Sequence, residues 1–109
     1  YENSKIEKAV YFLEKNNSRD SNSLFKLAEI FQAGMDLSKA IESYQKIVDN
    51  FSQKDPIVVK SLLRIANIYE ELGKDEKSIE IYEIIAKMDI SESDFAKEKI
   101  LVLKNNFKN

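Results

Sequence analysis

The chain has 109 residues, 17 Lys plus Arg against 19 Asp plus Glu, a net charge of -2, and neither His nor Cys. That length suits one small domain able to fold without staples. The near-balanced charge speaks against nucleic acid and against a polybasic membrane patch. The missing His and Cys remove Ser-His-Asp and Cys catalysis, thiolate and imidazole metal sites, and disulfides.

Two Gly, Gly34 and Gly73, exclude a glycine-rich phosphate loop, and no apolar run approaches the ~20 residues of a membrane span. Tyr1 in place of an initiator Met suggests a piece of a longer chain, with any leader, anchor or neighbouring domain outside it.

Apolar residues recur at spacings of three and four, the helical period. Taken in chain order, Ser4 with Glu7 reads as a capping box opening a helix over 4–17. The polar run Asn16-Asn17-Ser18-Arg19-Asp20-Ser21-Asn22 is a loop, with Ser21 or Asn22 as the next cap. Gly34 ends the second helix, and Asp36 or Ser38 starts the third. Asp55-Pro56 opens the fourth, because Pro at the first helical position lacks only an N–H that would go unused. Gly73 closes that helix and Asp75 caps the fifth. Ser91 with Asp94 caps a sixth, ending near Phe107. Six helices joined by short turns make an all-α antiparallel array.

Shifting the chain by 38 residues lays positions 23–47 on 61–85 with nine identities in 25. Among them are Leu24/Leu62, Ala28/Ala66, Ile30/Ile68, Tyr44/Tyr82 and Ile47/Ile85. Leu27/Ile65, Phe31/Tyr69 and Lys26/Arg64 are conservative. Ala28 and Ala66 are small where two helices must approach closely. Leu24, Leu27 and Phe31 form one apolar stripe, and Ala40, Tyr44 and Ile47 the facing one. Tyr11, Phe12, Phe31, Tyr44, Tyr69 and Tyr82 sit at core spacing. A single hairpin cannot bury its stripes, and stacked hairpins can.

Leu24…Leu27-Ala28…Phe31…Gly34…Ala40…Tyr44…Ile47 and Leu62…Ile65-Ala66…Tyr69…Gly73…Ser78…Tyr82…Ile85 resemble the tetratricopeptide repeat (TPR) family. Leu stands for the usual Trp, Ile for the late small residue, and the closing Pro is absent. The period is 38 against the family's 34, with the extra residues around Phe51-Ser52-Gln53-Lys54, in one helix or its loop. The resemblance implies an α–α superhelix of antiparallel hairpins, with one domain over 1–109. Within it, 4–17 is a leading half repeat, 22–52 and 55–90 are two repeats, and 91–107 is a capping helix. A further resemblance, through Tyr44–Phe51, Asp55-Pro56 and Ser61–Ala66, is to TPR segments of bacterial cell-envelope proteins. The β-barrel assembly lipoproteins and the Tol–Pal coordinator are of this type. It implies an envelope or periplasmic setting, with the cytoplasm as alternative.

Catalysis has weak candidates. Glu70 and Glu71 diverge by about 100° on one helix. Glu80 and Glu83 face solvent, with Lys77 and Lys87 within helical reach. No stretch has calcium-loop spacing. We expect no enzyme, no catalytic residue, no metal and no cofactor. Binding to another protein or peptide remains. In TPR arrays the groove floor comes from fixed offsets, which here select Asn22, Phe25, Glu29 and Gln32, then Lys60, Leu63, Asn67 and Glu70. A carboxylate clamp is disfavoured, because Phe25 and Leu63 stand where Lys would be wanted and Glu29 and Glu70 would repel an anionic terminus. Phe25 and Leu63 lie outside the core stripe. Either the first helix or a neighbouring domain covers them, or they form an apolar groove for an amphipathic helix or extended peptide, rimmed by Glu29, Lys60 and Glu70. Self-association or stacking without a foreign ligand is the rival function.

Overall fold

The computed structural model describes Lys8, Tyr11 and residues 20–106. Five helices lie among the described residues: α1 (Ser21–Ala33), α2 (Leu37–Asn50), α3 (Pro56–Glu71), α4 (Asp75–Ala86) and α5 (Ser93–Asn106). The described residues contain no strand. The fold is all-α and TPR-like, as the 38-residue repeat implies. Lys8 and Tyr11 are helical, and the rest of the expected leading helix, with its Ser4–Glu7 capping box, lies outside the described residues. So do Phe12 and Phe107. Contacts divide the chain into two units, Tyr1–Ser61 and Leu62–Asn109, with the boundary inside α3.

In the first unit α1 packs on α2. Ala28 and Ala40 have no exposed surface, nor do Tyr44 and Ile47. Leu24, Leu27 and Phe31, expected to form a core stripe, are half-buried. The deep contact is made by Phe25, whose ring centroid lies 5.3 Å from that of Tyr44. Phe25 is buried and belongs to the core, contrary to its expected place outside the stripe. Ring-on-ring packing removes more apolar surface than an exposed groove position would. Tyr11 departs the other way: it is 63% exposed, not a core ring.

The helix starts follow charge. Asp20, not Ser21 or Asn22, caps α1: its carboxylate accepts from the Ser23 backbone N–H at 2.8 Å and from the Ser23 hydroxyl at 3.1 Å. An anion at a helix N-terminus is a stronger acceptor than a hydroxyl or amide. Ser21 instead donates from its hydroxyl to Asp55 Oδ2 at 2.7 Å. Asp55 also accepts from the Ile57 N–H through Oδ1, and α3 begins at Pro56 as expected. Asp36 caps α2. The 51–55 linker carries the extra residues of the long period, so the loop is lengthened and α2 stops at Asn50. Asp55 N–H donates to Ser52 O, and Lys54 N–H to Ser52 Oγ.

Both hairpin turns have one geometry with different residues. Asp36 N–H reaches back to Phe31 O, and Lys74 N–H to Tyr69 O. Each bond closes a left-handed helix end. The residue with positive φ is Met35 (62°) in the first turn and Gly73 (73°) in the second. Gly34 ends α1 as expected, standing at its C-cap with φ -81°. The turn register follows the 38-residue repeat, which pairs Gly73 with Met35.

In the second unit Ala66, Ile68, Tyr82 and Ile85 have no exposed surface, and Ile65 and Leu62 almost none. Ser78 donates from its hydroxyl to Ala66 O at 2.9 Å, showing how closely α4 approaches α3 at that small residue. Lys74 holds the N-cap position of α4 without a side-chain bond, and Asp75, expected there, sits in the first turn. The preceding turn fixes the helix start through Lys74 N–H, one residue earlier than the acid. Ser91 does not cap α5: its hydroxyl donates to Glu92 Oε1. Ser93 makes the entry instead, accepting from Ile90 N–H and donating to the buried Ile85 O at 2.8 Å.

Candidate functional site

Asn22, Phe25, Glu29 and Gln32 are spaced by three and four along α1, so they lie on one helical face. Asn22 is exposed, Glu29 and Gln32 are half-buried, and Phe25 is turned into the first unit. Lys60, Leu63, Asn67 and Glu70 share one face of α3 by the same spacing. Lys60 and Asn67 are exposed; Leu63 and Glu70 are half-buried.

Two of these residues are engaged by tyrosines in the facing helices. In the first unit the Tyr44 hydroxyl donates to Gln32 Oε1 at 2.8 Å. In the second the Tyr82 hydroxyl donates to Glu70 Oε2 at 2.6 Å, a short charge-assisted bond. The 38-residue shift superposes Gln32 on Glu70 and Tyr44 on Tyr82, so this is one interaction written twice, first with an amide and then with a carboxylate. Tyr82 Oη also lies 3.2 Å from Asn67 Oδ1. A phenol has one proton, and the nearer carboxylate takes it.

The other oxygen of Glu70, Oε1, pairs with Lys99 Nζ at 2.8 Å. That ammonium also lies 5.9 Å from the centre of the Tyr82 ring. The edge of the Phe95 ring meets Tyr82 at a centroid distance of 6.2 Å. Burial, and then the Glu70 hydrogen bond and charge, push the Tyr82 phenol well above its usual range. At the start of α1, backbone and side-chain donors from Ser23 hold Asp20 below the usual carboxylate range.

Sequence reasoning selected Glu70 and missed Lys99, which is 29 residues away and falls on no groove offset. It read Tyr82 only as packing. The signal for its hydroxyl bond was present: two polar residues and two tyrosines superpose under the same shift. A second repeated pair escaped notice in the same way. Lys39 Nζ lies 5.6 Å from the Phe31 ring centre, and Lys77 Nζ lies 5.6 Å from that of Tyr69. Each places an ammonium over an aromatic face.

Of the acids considered for catalysis, Glu71, Glu80 and Glu83 are exposed, and both oxygens of Glu70 are bonded. Among the described residues no three acids gather to hold a metal ion. No helix among them is long and apolar enough to cross a membrane.

Known proteins extend this picture. The chain is 33% identical over 84 residues to a TPR repeat-containing protein of Methanocaldococcus jannaschii, covering 73% of this chain and 26% of the relative. It is 41% identical over 63 residues to an alpha-soluble NSF attachment protein of Dictyostelium discoideum, covering 56% of this chain and 22% of the relative. The chain therefore spans about a quarter of the length of these curated relatives. Neither is bacterial, and the resemblance to cell-envelope proteins finds no support in them. No solved structure matches. The family model of the soluble NSF attachment protein, SNAP, matches residues 4–98, spanning both tyrosine-centred hairpins. With its repeats, its helical fold and that match, the chain belongs to the SNAP family of TPR-like helical proteins.

Proposed function

We propose that this chain is the protein-binding segment of a larger attachment or scaffold protein, with one partner-facing helix face on α1 and, taken separately, another on α3. Asn22, Glu29 and Gln32 would contribute on α1, and Lys60, Leu63, Asn67 and Glu70 on α3. Phe25 supports the α1 face from beneath, since its ring is buried against Tyr44. The observation that carries the reading is Leu63, an apolar side chain left half-open on the same face as exposed Lys60 and Asn67. Such a position offers apolar contact in the middle and polar register at the edge. The printed name of the Dictyostelium relative, an attachment protein, supports the same class of function. In this reading Glu70 acts by holding Tyr82 and Lys99.

The test is affinity capture from a lysate of the source organism, followed by calorimetry with the purified partner. Wild type is compared with Leu63→Glu and Lys60→Glu variants, each checked for helicity by circular dichroism. A weakening of tenfold or more by Leu63→Glu, equivalent to about 1.4 kcal/mol, is the expected result. Equal affinity for folded wild type and variant overturns the α3 face as the binding surface.

A second reading is self-assembly through α5, favoured by Phe95, Leu101 and Val102, which are all about half exposed or more. A mass that rises with concentration in sedimentation, and falls back with Val102→Lys, would select it.

A further inference from the structure

We propose that α5 is a releasable cap on the second unit, latched by the Glu70–Lys99 ion pair. This inference shares Glu70 with the proposed binding face but does not require a partner to be bound.

The apolar anchorage of α5 is slight. Among its side chains only Ser93, Ala96 and Leu103 are buried, while Phe95, Leu101 and Val102 stay exposed. One buried Leu and one buried Ala, with the half-exposed Phe95 ring against Tyr82 and half-buried Ile100, are modest against the entropy of ordering fourteen residues. A helix of that length is marginal by itself in water. The polar contacts therefore add an appreciable share to its docking. Ser93 ties its first turn to the end of α4 through Ile85 O. Lys99, near the middle of α5, reaches Glu70 on α3 and lies over the ring of Tyr82 on α4. One side chain thus holds α5 to both other helices of the unit.

The latch can open without unfolding what lies beneath it. If Lys99 withdraws, Glu70 still accepts from Tyr82, and Ser78 still donates to Ala66 O, so α3 and α4 remain joined. The first unit shows that such a hairpin bond needs no charge, since Gln32 accepts from Tyr44 there. The pair is also within reach of solvent, with Lys99 28% and Glu70 22% exposed at the side chain. A competing anion or cation could enter. Opening would bare the Tyr82 ring and free one oxygen of Glu70. Partial openings of this kind are expected where buried apolar contacts are few.

The experiment is hydrogen exchange with mass spectrometry on the 109-residue chain, comparing wild type, Glu70→Gln, Lys99→Met and Lys99→Arg. Glu70→Gln keeps one acceptor for Tyr82 while replacing the oxygen that faces Lys99 with an uncharged NH2 donor; Lys99→Met keeps the aliphatic stem. In both, peptides from α5 should exchange about tenfold faster, while those from α3 and α4 keep their wild-type rates. Lys99→Arg should restore slow exchange in α5. Wild-type α5 exchange in both Glu70→Gln and Lys99→Met would overturn the latch. So would α5 accelerating together with α3 and α4, since it would then be an integral helix of the unit.

Discussion

The two tyrosine-centred hairpins share a plan and differ in charge. In the first unit a neutral phenol meets a neutral amide, Tyr44 with Gln32. In the second the superposed phenol meets a carboxylate, and the carboxylate meets a lysine, Tyr82 with Glu70 and Lys99. The repeated core makes the backbone frame: Ala28 and Ala66 permit close approach, and Ile47 and Ile85 seal the far end. The variable polar residue then sets what the frame can recruit. A Gln head carries one acceptor oxygen and a donor NH2; a carboxylate carries a second, charged oxygen that can hold a cation from a third helix. A single Gln-to-Glu difference between repeats thus gives the second hairpin an attachment point for α5 that the first hairpin's amide does not supply.

The largest expected effect comes from the phenols themselves. Tyr82→Phe leaves a half-buried carboxylate short of one donor and should cost about 2 kcal/mol, against about 1 kcal/mol for Tyr44→Phe, by urea unfolding. Alkaline titration sharpens the contrast. Because the folded Tyr82 phenol is raised, its stabilising contribution is complete below the ordinary phenol value of about 10. It is lost as pH rises beyond that value, where the unfolded chain releases the proton first. Tyr82→Phe should flatten the alkaline fall in stability.

The turns offer a pair of opposite sign. Gly73 has open space where a Cβ would lie, so Gly73→Ala meets only the left-handed backbone cost and should lose about 1 kcal/mol. Met35 bears that cost already with its side chain 73% exposed. Met35→Gly should gain up to about 1 kcal/mol in thermal or urea unfolding. Equal responses at the two sites would show that the turns are not equivalent.

The helix caps differ as well. Asp36 accepts from Lys39 N–H at 3.3 Å, whereas Lys74 places a cation at the N-terminus of α4 with no side-chain bond. Lys74→Asp should stabilise the second hairpin by roughly 0.5–1 kcal/mol, and Asp36→Ala should destabilise the first by a similar amount.

The smallest effect is at Asp20. Its folded carboxyl is lowered by the Ser23 donors, so its contribution is present above the ordinary Asp value of about 3.9 and is lost as pH falls through the folded one. Amide exchange at the start of α1, read between pH 5 and pH 3, should rise beyond the intrinsic pH trend in wild type. It should show no such excess in Asp20→Asn.

Much of the architecture was legible along the chain, and particular residues show why. Helices α1 to α4, the close approaches at Ala28 and Ala66, and the entry at Asp55-Pro56 follow from period, size and proline chemistry, which are local or repeat at a fixed interval. The α1 start was misread because Ser21, Asn22 and Asp20 are all good caps, and only the geometry shows which carboxylate meets the Ser23 amide. Gly34 does end its helix, as its C-cap, but glycine permits a left-handed turn without requiring one, and the left-handed residue is Met35.

The candidate face was legible only in part. Offsets along α1 and α3 put Asn22, Lys60, Leu63 and Asn67 at helix-face positions, since a helix repeats its faces by arithmetic. They cannot say which face positions the core reclaims, and Phe25 went to Tyr44 because two rings together bury more apolar surface than one left open. Nor could they pair Glu70 with Lys99. The repeat period and the helix count in 20–106 were determined by the sequence alone, because local stereochemistry and a fixed shift carry them. The burial of Phe25, the left-handed Met35 and the Glu70–Lys99 latch were decided by tertiary structure. Each depends on which side chain from a distant turn or helix arrives within a few ångströms, and no spacing along one helix contains that information.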